Sequence, residues 1–305
     1  MKMKHLGIFV LIMIVTVVFV YALPDTSLVA TENKKSGVTV IIPKHAVEVA
    51  DDVFDLGTTV DVDGRVVQGY MFIDRKKGYA KPGAECGNGI CDPGENANKC
   101  PADCAGGDPV PGSSSCYSLY AKGAKWKTVE PYIVNPNNTR NLSSSFVTSN
   151  LASDIQDWET AAGVDILGSG SSTSDTLVAD TESTDGVNEV YFADVDSPGA
   201  IAVTILWGIF FGPPFGRELV EWDQVYDDVD YNWSEDCTVE DCVSEGSKKM
   251  DFWNIAEHEL GHTIGLGHPA DECIEETMYR FAGFGETKKR TLAAGDITGV
   301  GGLYT

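Results

Sequence analysis

One stretch constrains this chain more than any other: His258-Glu259-Leu260-Gly261-His262-Thr263-Ile264-Gly265-Leu266-Gly267-His268. His258 and His262 stand four apart. On a helix their imidazoles leave the same face, one turn from each other. The fold must therefore carry a helix through 258–262. Gly265 accepts positive φ, so it can end that helix and swing the chain round. His268 can then return to the same point. Three imidazoles converging there suit one zinc ion, with nitrogens at about 2 Å and a fourth position open to water. Glu259, beside the first histidine, is placed to act as general base and then as acid.

The chain has five histidines, and three lie in these eleven residues. Only His5, in an apolar N-terminal run, and His45 remain. A serine or cysteine hydrolase needs a spare histidine as base, so Cys116 reads as a disulfide partner. The net charge of -24 over 305 residues argues against a nucleic-acid partner, which would need clustered Lys and Arg. Some of the acidic residues are candidates for calcium.

Residues 1–23 read as an export signal. Lys2 and Lys4 precede the uncharged apolar run from Leu6 to Val20. The run is just short of a membrane span, so an uncleaved anchor is the alternative. Both readings put the rest of the chain outside the cytoplasm, where eight cysteines fit as disulfides. A membrane enters only through that anchor.

Residues 24–84 carry short β-type runs, with Asp63-Gly64 as a hairpin signal. They read as a small β-rich extension, a pro-segment or a docking element. Residues 85–105 form a Cys-rich module. Cys86, Cys91, Cys100 and Cys104 are too closely set for a hydrophobic core, so staples must hold the shape. Two disulfides are the first reading and a tetrathiolate zinc site the rival. Residues 106–115, rich in Gly, Pro and Ser, read as a linker. The catalytic domain then spans 116–305. Within it, helices are expected over 145–162, 251–264 and 292–304. Strands are expected at 126–134, 188–193, 200–207 and 219–225, which makes the class α+β. The apolar run Ile205–Phe215 reads as a buried strand with a packed loop, or else as an exposed lip beside the cleft.

The eleven-residue motif resembles the metzincin signature, and its surroundings resemble matrixins, the family of the matrix metalloproteinases. Thr277-Met278-Tyr279 resembles the Met-turn, which implies that Met278 forms an apolar floor beneath the zinc. Leu292 to Val300, with Leu303-Tyr304, resembles the last matrixin helix, which implies that Asp296 hydrogen-bonds under the Met-turn. Val187 to Phe192 and Glu221-Trp222-Asp223 resemble matrixin strands. The likeness covers roughly 125–305. It implies a zincin-like α+β domain, a twisted mixed sheet plus three helices, that hydrolyses polypeptides with one catalytic zinc.

Matrixin pro-segments place a cysteine over the zinc in a Pro-Arg-Cys-Gly stretch, and this chain has none. If residues 24–84 cover the site, they do so by bulk or through another ligand, such as Asp51, Asp52, Asp55 or His45. Matrixins also hold a structural zinc on histidines ahead of the catalytic helix. No histidine lies between 46 and 257 here, so calcium is the candidate replacement, on Asp180, Glu182, Asp185, Asp194, Asp196, Asp227, Asp228 or Asp230. The competing function is an exported zinc-binding adhesion or surface-binding protein with little or no turnover. The presence of Glu259 favours the peptidase.

Overall fold

The computed structural model describes residues 37–79, 113–244 and 246–305. The export signal, the Cys-rich module and most of the linker lie outside the described residues. No helix among those described is long and apolar enough to cross a membrane.

Four strands come first: β1 (Thr39–Val40), β2 (Val47–Ala50), β3 (Val53–Val60) and β4 (Val66–Lys76). The turn between β3 and β4 is tied by Asp61, whose Oδ1 accepts from the backbone N–H groups of Asp63 and Arg65. Gly64 supplies positive φ (81°) there. Next come β5 (Ser118–Leu119), β6 (Glu130–Val134) and helix α1 (Ser144–Ala162). Val147, Leu151, Ile155, Trp158 and Ala162 form its buried stripe. Ser143 caps its start by accepting from Phe146 N–H, and Gly163 ends it at φ 74°.

Strands β7 (Leu167–Ser172), β8 (Asn188–Val195), β9 (Ala200–Ile209) and β10 (Glu218–Asp227) follow. Then come β11 (Trp233–Ser234), α2 (Val239–Val243), β12 (Met250–Asp251) and α3 (Phe252–Thr263). The chain ends with β13 (Leu266–Gly267), β14 (Phe281–Ala282) and α4 (Ala294–Tyr304).

The main sheet has ten strands. Its path runs β2-β3-β4-β9-β10-β8-β6-β7, with β1 paired to β8 and β14 to β4. The pairs β6–β7, β6–β8 and β8–β10 are parallel, while β9 is antiparallel to both β10 and β4. Tyr70, Phe72, Phe192, Leu206, Trp222 and Tyr226 leave one face of this sheet and pack with α1, α3 and α4. The other face is covered by Val40, Leu177 and Ala179, and among the described residues no helix packs against it. Helices on one face of a mixed sheet make the fold α+β.

Two features differ from expectation. The described residues contain four helices, not three. The extra one, α2, has five residues, too few to show helical periodicity, and it is closed by the disulfide Cys237–Cys242. The β-hairpin of the N-terminal extension is also not set apart. Strands β3 and β4 continue, beyond β9, the sheet of the domain expected over 116–305. A second disulfide, Cys116–Cys273, joins the start of that domain to the loop after His268. Closing so long a loop removes denatured-state entropy, about 2–5 kcal/mol in such cases.

Candidate active site

Helix α3 carries the first two histidines. Its N-cap is Asp251, whose side chain accepts from Asn254 N–H and is itself bound by Arg290 and by Cys237 N–H. After Ile264, Gly265 takes φ 104°. A side chain there would also sit 3.0 Å from the Ala124 carbonyl and from Leu303. That turn returns His268 to the helix. The imidazole centroids lie 4.7 to 5.4 Å apart.

The tautomers follow from the partners. His258 Nδ1 lies 2.7 Å from the Thr277 carbonyl, and His262 Nδ1 lies 2.9 Å from the Leu266 carbonyl. A carbonyl only accepts, so each Nδ1 carries the proton and each Nε2 presents a lone pair. His258 Nε2 has no partner at all. His262 Nε2 lies 3.0 Å from His268 Nε2. One nitrogen from each ring falls within 4.8 Å of the others. Burial pushes all three imidazoles toward the neutral form, His262 down to about 3. Neutral imidazoles with converging lone pairs are a donor set suited to zinc.

Glu259 is fully buried. Its Oε2 accepts a 2.5 Å hydrogen bond from the Thr204 hydroxyl on β9, and its Oε1 has no partner. Burial, and then the nearby Asp74 carboxylate, push Glu259 well above the ordinary glutamate range.

Met278 is buried against Gly261 of α3. A Cβ on Gly261 would stand 2.1 Å from Met278 Sδ and 2.9 Å from the Trp158 ring. Only glycine lets the sulfur come so close to the helix. Trp158 donates to the Glu257 carbonyl at 2.9 Å, which fixes α1 against α3. Asp296 sits under the turn. Its Oδ2 accepts from Thr277 N–H (2.7 Å) and Ala293 N–H (2.9 Å), and its Oδ1 accepts from Met278 N–H (3.2 Å).

Several neighbours escaped the sequence reading. Thr204 is the one polar residue in the run Ala200 to Trp207, and that isolation was its only signal. Lys289 is fully buried, donates to the Tyr279 carbonyl and lies 3.3 Å from His258 Nδ1. Phe72 of β4 stacks on the His262 ring at 4.4 Å, and Asp74 of the same strand reaches the site. A cavity of about 590 Å³ opens beside His268, lined by Val53, Phe72, Tyr120, Pro269 and Arg280 among others.

The four residues named as candidate covering ligands are engaged elsewhere. Asp51 pairs with Arg280, and Asp52 with Arg75. Asp55 accepts from Gly57 N–H and Gln68. His45 lies against the Leu56 carbonyl and Glu182. The run Ile205–Phe215 divides. Ile205 to Trp207 are buried, whereas Phe211 is 50% exposed and Phe215 87% exposed.

No curated protein matches the chain. The family model for matrixin, Peptidase_M10, matches residues 211–305. That segment contains all three converging histidines, Glu259, Met278 and Asp296. Residues 211–305 are thus similar to the matrixin family of zinc metallopeptidases.

Proposed function

We propose that the chain is an exported endopeptidase, with His258, His262 and His268 holding one zinc and Glu259 moving the proton. The observation that carries this is the convergence of three imidazoles beside a buried carboxylate with one free oxygen. Bound there, zinc supplies Lewis-acid chemistry, acidifying water and polarising a peptide carbonyl. Thr204 holds one oxygen of Glu259 and leaves Oε1 to take a proton and deliver it to the departing amine. Met278 and Gly265 keep the three rings in place from below and behind, and Asp296 holds the Met278 turn. An extended peptide would add along β9, above α3. The disulfides Cys116–Cys273 and Cys237–Cys242 support export, since such bonds persist in oxidising surroundings.

Metal analysis of the full chain tests the reading. One zinc per chain is expected, and none after His268→Ala. After the chain has been opened with trypsin, it should cut a peptide library, and a chelator should stop it. A zinc-loaded, opened chain that cuts nothing would favour the surface-binding alternative.

The calcium reading attaches to one place. Of the eight acidic candidates, Asp180 alone joins a cluster of facing oxygens, with Glu221 and Asp223 of β10. Glu221 and Asp223 are each 1% exposed, and Glu221 Oε1 and Asp180 Oδ2 lack partners. Burial, and then Asp180, push Glu221 up to about 9. Asp223 accepts from Asp180 N–H and Glu189 N–H, and the two buried oxygens left without donors suit a divalent cation. Calcium at about 100 times its Kd is expected to raise the unfolding midpoint by about 5–10 °C. Glu221→Gln should abolish the rise. An equal rise in that variant would place the ion elsewhere.

A further inference from the structure

The chain leaves β9 through an apolar tip. Phe210, the first residue past the strand, is buried and packs edge-on against Tyr70 and Tyr120, with ring centroids at 5.2 and 5.4 Å. Tyr120 also lines the cavity beside His268, so the tip stands at that end of β9. The next five residues, Phe211-Gly212-Pro213-Pro214-Phe215, are all exposed. Single apolar side chains on a surface need no explanation, but two phenyl rings and two prolines in one turn form a patch. The turn is held in shape. Proline fixes φ at positions 213 and 214, and a short 3₁₀ turn spans Pro214–Gly216. Arg217 closes the base: its Nε donates to the Gly212 carbonyl (3.2 Å) and its Nη1 to the Lys122 carbonyl (2.9 Å). The backbone thus presents the two rings to solvent.

The charge around the tip runs against that of the chain. Residues 113–127 and 198–217 together hold Lys122, Lys125, Lys127 and Arg217 and no Asp or Glu, in a chain with 46 acidic residues and a net charge of -24. The two segments touch. Leu219 N–H donates to the Lys125 carbonyl at 3.1 Å, and a Cβ on Gly123 would stand 2.7 Å from the Pro214 carbonyl. Glu218, the next residue along, is taken by Lys127 and Arg65, each at 3.0 Å. Arg65 also holds Asp61 (2.6 Å) and Asp63 (3.5 Å). Lys122 and Lys125 have no ion pair among the described residues, and Lys122 is exposed.

We propose that this tip docks on an anionic lipid surface, with Phe211 and Phe215 entering the interface and Lys122 and Lys125 standing against the headgroups. Aromatic rings on a polar scaffold bind there through buried apolar area, and neighbouring cations add attraction to anionic lipid. An anionic membrane repels a chain of charge -24 as a whole. Only a face cleared of unpaired acids can approach it, and the tip is such a face. Its fixed turn leaves little ordering to be done on docking. The docking stands apart from the zinc-site reading. Its consequence for substrate rests on that reading: with the end of β9 held at the lipid, the polypeptides in reach are those anchored in the same membrane.

Tryptophan fluorescence of the full chain carrying Phe215→Trp tests the docking. Trp126, Trp158, Trp207, Trp222 and Trp233 are buried and Trp253 is partly exposed, so wild type serves as the blank. The vesicles are phosphatidylcholine alone or an equal mixture with phosphatidylglycerol, with bromine on the acyl chains to quench any indole that enters them. The mixed vesicles should quench the variant and leave wild type nearly unchanged, and salt should weaken the response. Adding Lys122→Glu and Lys125→Glu should raise the lipid concentration at half-quenching about tenfold or more. Adding Phe211→Ser instead should raise it by about tenfold. A ring replaces an exposed ring at 215, and circular dichroism confirms folding of each variant. Chain bound to vesicles with position 215 unquenched would overturn the proposal and leave the binding to the apolar run Leu6–Val20. Equal quenching by phosphatidylcholine alone, or no effect of the two lysine changes, would overturn the anionic surface as partner. A shift of Trp emission at 215 on adding peptide without vesicles would make the tip a substrate grip, and would overturn the docking.

Discussion

Glu259→Gln is expected to keep the metal and lose peptide hydrolysis by at least about 10²-fold, the usual cost of removing a general base. The three imidazoles are oriented by carbonyls of Thr277 and Leu266 and by each other, none of which involves Glu259. Metal content should therefore stay near one per chain. The amide fits the same volume and can still accept from Thr204, whose hydroxyl meets Oε2. What it cannot do at neutral pH is take a proton. The measurement compares kcat/KM of wild type and variant after identical trypsin opening, with zinc quantified in each. A zinc-loaded variant within a few-fold of wild type would sink the role given to Glu259. Loss of zinc along with activity would instead show that the carboxylate holds the metal, a different chemistry for the same residue.

How much of this was legible in the sequence depends on the distance over which each feature is set. Helix α3 was, because the His258–His262 spacing, the Asp251 cap and Gly265 all lie within a few turns of one another. Helix α1 was, through Leu151, Ile155, Trp158 and the stop at Gly163. The hairpin between β3 and β4 was visible in Asp63-Gly64, but its docking on β9 was not. Pairing is a choice among strands, and local periodicity is silent about partners. One hint existed. Every residue of β9 from Ala200 to Gly208 is buried, and a strand so uniformly apolar needs cover on both faces.

The same distance hid Asp74. Asp51, Asp52 and Asp55 look alike in sequence, yet Arg280, Arg75 and Gln68 claim them. Asp74 is set apart only by the pleat that carries Tyr70 and Phe72 toward α3. The disulfide partners were hidden for a further reason: four cysteines allow three pairings, and only folded geometry selects Cys116–Cys273 with Cys237–Cys242. In each case the chemistry of the residue was readable, and its address was not.

Asp296→Ala is expected to give the largest loss of stability among single changes near the site. The residue is fully buried at the start of α4. Its two oxygens accept from three backbone donors, Thr277 N–H, Met278 N–H and Ala293 N–H. Alanine removes all three acceptor contacts and brings no water to replace them. Each buried donor left unpaired costs roughly 1–3 kcal/mol, and relaxation of the turn recovers part of the sum, so about 3–5 kcal/mol is expected. For a domain of this size that is a fall of about 10 °C in the midpoint of thermal unfolding. The loss should also reach the site. Met278 is held against Gly261 from below, and the Thr277 carbonyl orients His258. A loosened turn frees both, so zinc should pass to a chelator faster than from wild type. Asp296→Asn keeps one carbonyl oxygen for these donors but turns an NH2 group toward the others, and should fall between the two. Thermal unfolding of the three proteins at saturating zinc, with release rates measured alongside, checks the ordering. An Asp296→Ala midpoint within about 2 °C of wild type would show that the turn below the histidines is held by packing of Met278 and Trp158 rather than by Asp296.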